Sequence, residues 1–211
     1  MSDEFAAERQ RMADSLVRSG RVADERVREA LATVPRHEFV PPERRDRAYD
    51  DRPLPIGDGQ TISAPHMVAI MAEKLELEPG ERVLEIGTGC GYHAAVTAEL
   101  IGDEGAVYSV EYSADLASEA ENRLADLGSD VAVRVGDGRE GWPEHAPYDA
   151  AYLTCAAPEF PDAVVEQVRP GGRLLAPIGT AFQTLVFARK REDGSLETRE
   201  HGGVQFVRMR G

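Results

Sequence analysis

Cysteine is scarce in this chain of 211 residues. There are two, Cys90 and Cys155, in neither a Cys-x-x-Cys pair nor a zinc-ligand array. That excludes a disulfide framework, and because the histidines and acids show no ligand spacing either, no metal is expected. Long apolar runs are missing too. No stretch approaches the roughly 18 continuous apolar residues of a membrane span. Met1–Gln10 is acidic and carries no apolar core, so no signal peptide is read there and the cytoplasm is the expected location. Basic charge is short: 24 Lys and Arg stand against 38 Asp and Glu, a net charge of −14. A general polyanion-binding surface is disfavoured, so neither nucleic acid nor membrane is an expected partner. Aromatics make up only 6% and the acids run along the whole chain, which reads as a solvation device suited to high salt. What remains, 42% hydrophobic residues in 211, suits one globular domain with a real core, expected as a monomer.

The most informative stretch is Val83–Gly91, Val-Leu-Glu-Ile-Gly-Thr-Gly-Cys-Gly. Val83, Leu84 and Ile86 give a short buried strand, three glycines in five residues give a sharp turn, and a helix is expected from His93 to about Ile101. The free N–H groups and positive dipole end of that helix point back into the turn, which suits a nucleotide-like ligand. Glu85 lies inside the motif. Glu111 ends the next apolar run, twenty residues after Gly91, where an acid at the tip of the second strand can hold both ribose hydroxyls. The nicotinamide pattern Gly-x-Gly-x-x-Gly fails, because Tyr92 takes its last position. A structural glycine turn in some other α/β protein also fits this stretch taken alone.

Along the chain, residues 3–18 and 23–33 read as short amphipathic helices that pack without chemistry. Prolines keep residues 34–55 irregular. A helix then runs from Pro65 to about Leu75, with Ser63 or Ala64 as its cap. Strands are expected at 106–111, 131–135, 148–154 and 172–177, and helices at 114–127 and about 159–168. Pro170-Gly171-Gly172 reads as a turn. Two last runs, 183–190 and 203–209, flank Glu192–Ser195 as an antiparallel pair. The order gives an α/β fold, five parallel strands plus a terminal hairpin.

Glu-x-Gly-x-Gly-x-Gly followed by a strand-end acid resembles the S-adenosylmethionine site of class I methyltransferases. More specific blocks surround it: Val34-Pro-Arg-His-Glu-Phe-Val-Pro41, Tyr49 and Asp51, Pro53-Leu-Pro-Ile-Gly57, and Gly59-Gln-Thr-Ile-Ser-Ala-Pro-His66. Val83–Tyr92, Gly136-Asp-Gly138, Pro147-Tyr-Asp149 and Gly171-Gly-Arg-Leu174 continue them in order, over roughly residues 30–190. Together they resemble the protein-L-isoaspartate O-methyltransferase family. The resemblance implies a Rossmann-like, seven-stranded, mostly parallel sheet with an antiparallel C-terminal hairpin and a helical N-terminal extension. One domain is implied, with 1–78 as N-terminal helices and substrate-side loop and 79–211 as cofactor-binding core. It also implies methyl transfer from S-adenosylmethionine to the α-carboxylate of L-isoaspartyl residues in damaged proteins and peptides, which are then the partners.

The implied roles follow. Ser63 is the active-site hydroxyl that orients the acceptor carboxylate, although a helix-cap role is a rival explanation of a serine there and the two can coexist. Glu85, Gly87, Thr88, Gly89 and Gly91 frame the methionine end, Glu111 binds the ribose, and Asp137 with Gly138 holds the adenine edge, unless Gly136–Gly138 is only a turn. Thr61, Ile62, Thr154, Val204 and Phe206 join Ser63 on the acceptor side. His37, His66 and His93 are given structural roles, because the reaction needs no proton abstraction, and Trp142 is read as a packed cap over a loop. Two departures stand out: Cys90 replaces the family's common serine, and Arg208-Met209 stands where Pro-Leu is usual. Rival readings are a cofactor-binding adaptor of this fold without turnover, and a methyltransferase acting on another small molecule.

Overall fold

The computed structural model describes residues 4–211. Helices α1 (Ala6–Arg18) and α2 (Glu25–Thr33) come first; the expected start of the first helix, at residue 3, lies outside the described residues. Asp24 caps α2 by accepting from the Arg26 N–H at 2.8 Å. The proline-rich stretch forms two 3-10 turns, Arg36–Phe39 and Pro42–Arg47. A small hairpin that sequence patterning missed follows, β1 (Leu54–Gly57) and β2 (Gln60–Ile62), turning at Asp58, which holds a left-handed φ of 49°. Helix α3 spans Pro65–Leu75.

The main sheet is built from β3 (Arg82–Ile86), β4 (Ala106–Glu111), β5 (Val131–Val135), β6 (Tyr148–Leu153), β7 (Val168–Ile178), β8 (Gln183–Lys190) and β9 (Leu196–Val204). Helices α4 (Tyr92–Ile101), α5 (Ala114–Asp126) and α6 (Asp162–Gln167) connect it. The strand order is β5-β4-β3-β6-β7-β8-β9, with the first five parallel and the last two antiparallel. The expected five-plus-two arrangement is what the chain adopts. Crossovers step one way from β3 to β5 and the other way from β6 to β7. Val96, Leu100, Leu116 and Leu124 of α4 and α5 therefore share one core with Val83 and Leu175, while Val164 of α6 packs on Leu84, Ile86 and Leu174 across the sheet. Met12, Leu31, Met71 and Leu75 of α1–α3 join the first core. No helix among the described residues is long and apolar enough to cross a membrane.

Three boundaries differ from the sequence reading. The final strand is Leu196–Val204 and not 203–209, because β9 pairs with β8 directly after the Glu192–Ser195 turn, from Lys190 opposite Leu196 onward. Its polar Glu197–Glu200 run lies exposed, so it carries no apolar signal. Residues 205–211 leave the sheet and cross its carboxyl edge, where Met209 donates to Ala156 and Ala156 donates to Val207, each at 2.8 Å. Helix α6 starts only at Asp162, after Pro158 and Pro161. Pro170–Gly172 is an irregularity inside β7, with Gly171 at φ +77°, and does not precede the strand.

Candidate active site

Strand β3 pairs with β4 on one side and β6 on the other, so the chain direction of successive crossovers reverses at its carboxyl end. In open parallel sheets ligands bind at such a reversal. Beyond Ile86 the glycine turn leaves the sheet held from both sides: Gly87 N–H donates to Val110 O at 2.8 Å, and Thr154 N–H to Ile86 O at 2.9 Å. Gly87 has a φ of +96°, and a Cβ there would fall inside the Thr154 hydroxyl, which itself donates to the Gly87 carbonyl. Only glycine fits. Gly91 opens α4 with φ +92° and no side chain caps the helix, so its first N–H groups and dipole end face the turn.

Glu111 ties this turn to the tip of β4. One carboxylate oxygen accepts from Gly89 N–H at 2.8 Å and the other from Ser113 N–H at 2.9 Å, and the side chain still borders the cleft. Thr88 meets Ser109 at 2.6 Å, which donates to Glu85; Tyr152 donates to the other Glu85 oxygen at 2.8 Å and meets Thr97 at 2.9 Å. Glu85 is fully buried in this network, beneath the turn, and lines no cleft. On β3 it shares the face of Val83, toward α4, so it supports from beneath the turn that it is expected to frame. Burial pushes its carboxyl up to about 8, outweighing the two hydroxyl donors.

A cleft opens above the turn. Together with the solvent at its mouth it encloses about 770 Å³. It brings together Thr61, Ile62 and Ser63 from the β1–β2 hairpin and its exit, Gly87, Thr88, Gly89, Glu111 and Gly138 from the sheet edge, and Thr154. Its far wall is the C-terminal tail, Val207–Arg210. A second, smaller cleft holds Pro53, His66, Met67 and Phe206, and shares Thr61, Ser63, Thr154 and Val207 with the first. Ser63 thus stands on the wall common to both.

The helix-cap explanation for Ser63 does not hold. Ala64 is the cap residue of α3 and makes no side-chain bond, while Asp51, fifteen residues upstream, accepts from His66 N–H at 2.9 Å and faces His66 Nδ1 at 2.7 Å. Ser63 is half-buried, and its carbonyl accepts from Arg36 at 2.8 Å.

Not every candidate reaches a cleft. Gly91 lies below as the helix cap, and Val204 packs against the first core. Asp137 caps its own turn, accepting from Arg139 N–H at 2.9 Å and pairing with the Arg139 guanidinium at 2.6 Å; only Gly138 beside it lines the cleft. His93, by contrast, borders the donor cleft but is buried against the Tyr152 ring, 4.6 Å between centroids, and burial drives its imidazole down to about 3, so it is neutral. His37 meets Tyr49 at 2.7 Å and stacks on Phe5. Trp142 packs edge-on against Tyr108 and His145. Sequence reasoning missed Tyr112, Met209 and Arg210 as cleft residues. Tyr112 was legible as an aromatic directly after the strand-end acid; the tail was not, because it was read as a strand.

A family model for protein-L-isoaspartate(D-aspartate) O-methyltransferase matches residues 7–211. A protein-L-isoaspartate O-methyltransferase of Methanopyrus kandleri is 50% identical over 210 residues, covering 98% of this chain and 93% of that protein. Protein-L-isoaspartate O-methyltransferase 2 of Archaeoglobus fulgidus is 50% identical over 209 residues, covering 99% and 95%. A solved protein-L-isoaspartate O-methyltransferase superposes with a TM-score of 0.88 at 32% identity, over 96% of this chain and 66% of the other. The chain belongs to the protein-L-isoaspartate O-methyltransferase family. The same fold recurs in a Plasmodium falciparum structure described as a putative member in complex with S-adenosyl-L-homocysteine, at TM-score 0.85 and 23% identity.

The family's donor, S-adenosylmethionine, fits the residues present. A left-handed glycine turn that tolerates no side chain at Gly87 lets a ligand approach its backbone closely, beside the uncapped start of α4. Glu111 offers a carboxylate already ordered by two N–H donors, and Ile86, Val110 and Tyr112 supply apolar surface beside it. That is the donor set an adenosyl ligand with a vicinal diol requires.

Proposed function

We propose that this chain is a repair methyltransferase, transferring a methyl group to the α-carboxylate of L-isoaspartyl residues in damaged proteins and peptides. The observation that carries the reading is the position of Ser63, on the wall shared by a donor cleft over the glycine turn and an acceptor cleft beside α3. S-adenosylmethionine supplies a methyl group activated by the positive charge of its sulfonium. Gly87, Thr88, Gly89 and Glu111 would hold it, in the cleft that Gly138 and Tyr112 also line. Glu85 and Gly91 act from beneath by fixing the turn, and Asp137 by shaping the loop that presents Gly138.

No general base is required. The acceptor carboxylate is ionised at neutral pH, with an ordinary pKa near ~4, and His93 is neutral and buried. The chain's task is to hold that carboxylate in line with the methyl–sulfur bond and to exclude water, so that the oxygen–carbon bond forms as the carbon–sulfur bond breaks. Ser63 Oγ donates to the carboxylate and orients it. Thr61, Ile62, Thr154 and Phe206 shape the acceptor side, with Val204 supporting the tail from the core. Within a single domain, residues 4–78 supply the hairpin and α3 of the acceptor side, and 79–211 supply the donor side together with Thr154 and Phe206 of the acceptor side. The protein acts as a monomer in the cytoplasm, and its excess of acids is a surface suited to high salt.

The test is methyl transfer from labelled S-adenosylmethionine to matched isoaspartyl and aspartyl peptides. Transfer to the isoaspartyl peptide alone is the expected result. Binding without transfer would select an adaptor, and transfer to neither peptide with turnover on a small acid would select the other rival. Ser63→Ala should lower kcat while leaving cofactor affinity intact; unchanged kcat would remove the role given to that hydroxyl.

A further inference from the structure

Arg36 is the largest fully buried side chain among the described residues, at 0% exposure, and its guanidinium meets two carbonyls and a ring and no carboxylate among those residues. Burying a cation without an anion is costly, so the groups it does touch must compensate and must be held in place by it. There are three. Nε donates to the Ala48 carbonyl at 2.7 Å, Nη2 donates to the Ser63 carbonyl at 2.8 Å, and the guanidinium lies over the Tyr92 ring, 4.8 Å from its centroid. Burial lowers its pKa, and the neighbouring Tyr92 phenol opposes that shift.

These contacts join parts of the site that are distant in sequence. Ala48 closes the second 3-10 turn, three residues before Asp51, whose carboxylate caps α3 at His66. Ser63 precedes that helix. Tyr92 follows the last glycine of the donor turn and lines the donor cleft. Phe39 also packs edge-on against the Tyr92 ring, 5.5 Å between centroids. A planar guanidinium can serve both carbonyls and a ring face at once; an ammonium cannot.

We propose that Arg36 is a positioning residue for methyl transfer, setting the Ser63 backbone, and through it the Ser63 hydroxyl, against the glycine turn. This rests on the role given to Ser63 above. Arg36 touches neither methyl donor nor acceptor; it fixes the distance between the elements that hold them.

The experiment is a double-mutant cycle on isoaspartyl-peptide methylation, with Arg36→Lys, Ser63→Ala and the double variant, and cofactor affinity measured on each. Arg36→Lys should lower kcat by up to about a hundredfold, the scale of an ångström of misplacement. Its cofactor dissociation constant should stay within about twofold, the scatter of uncoupled sites. The double variant should be no slower than Ser63→Ala alone. Effects on kcat that multiply, or an Arg36→Lys enzyme with parental kcat, would overturn the inference. Loss of kcat that merely tracks the folded fraction, followed by circular dichroism, would overturn it too. Arg36→Gln, which keeps a planar amide, is read in the same way if the lysine variant does not fold. A parent enzyme that methylates no isoaspartyl peptide would instead refute the proposed function, and a Ser63→Ala enzyme as fast as its parent would end both roles.

Discussion

Arg210 reaches across the mouth of the donor cleft to Asp58, 152 residues away in sequence. Its Nη1 lies 2.6 Å from the Asp58 carboxylate, and Nη2 donates to the Asp58 carbonyl. Asp58 is the tip of the β1–β2 hairpin and Arg210 the end of the tail, so one exposed ion pair fastens the two flaps that border the cleft. Exposed pairs are weak and screened by salt. Arg210→Ala should therefore raise the release rate of S-adenosylhomocysteine only a few-fold, and the difference from the parent should vanish in molar KCl. Stopped-flow release at two salt concentrations checks it; a difference that persists at high salt would mean that the pair is not the fastening.

Glu111 spends both carboxylate oxygens on backbone N–H groups of the turn and strand tip, so in the proposed role its loss acts twice: a ribose would lose an acceptor, and Gly89 loses its anchor. Glu111→Ala should weaken cofactor binding about tenfold or more, matching ~1.5–3 kcal/mol for charge-assisted bonds. Glu111→Gln, keeping one acceptor oxygen, should fall between. Calorimetry with S-adenosylhomocysteine decides, and parental affinity in the alanine variant would refute the assignment.

Two buried groups should give the stability–pH curve opposing slopes. Glu85 is raised from 4.5 to about 8, so between those values the folded chain keeps a proton that the unfolded chain releases, and stability falls as pH rises. His93 is lowered from 6.5 to about 3, so between those values the unfolded chain takes up a proton that the folded chain refuses, and stability falls as pH drops. From about 4.5 to 6.5 the two slopes cancel. Glu85 acts alone from about 6.5 to 8, with a limiting slope of about 1.4 kcal/mol per pH unit. Glu85→Gln should flatten that upper window, uncover the His93 slope between about 4.5 and 6.5, and leave the limb below about 4.5 unchanged. Thermal melts across pH 6.5–8 measure it, and an unaltered decline in the variant would show that the carboxyl ionises freely in the fold.

Local signals were readable where they are local. Strand β4 occupies 106–111 as its apolar run requires, and α5 starts beside Ser113, whose hydroxyl accepts from Leu116 N–H at 3.5 Å. The glycine turn and strand-end acid were readable for the same reason. What was not readable depends on contacts distant in sequence. The cap of α3 comes from Asp51, so a serine next to the helix looked like the cap. The strands β1 and β2 have four and three residues, too few to show a period. From Val83 on, β3 is buried on both faces, so no alternation of apolar and polar residues marks the direction of Glu85. The tail crosses the sheet edge through backbone bonds to Ala156, and backbone pairing leaves no mark in side-chain pattern.

The acid excess also makes a prediction. With a net charge of −14 spread along the sequence, self-repulsion loosens the folded chain at low ionic strength and is screened as salt rises. The thermal midpoint should climb steadily from low to molar KCl. A flat curve would show that the acids are not a high-salt adaptation.

Gly87 separates backbone strain from steric exclusion. An alanine there would have to hold φ near +96° and also displace the Thr154 hydroxyl from the carbonyl it donates to. The left-handed backbone alone costs ~1–3 kcal/mol at a residue with a Cβ, and Thr154→Ala can relieve only the collision. Gly87→Ala should therefore abolish measurable cofactor binding, while Gly87→Ala with Thr154→Ala should recover part of the thermal stability but not parental affinity. Thr154→Ser alone, which keeps the hydroxyl, should bind as the parent does. Full recovery of affinity in the double variant would mean that the collision was the whole penalty and that the turn can relax to a backbone any residue adopts.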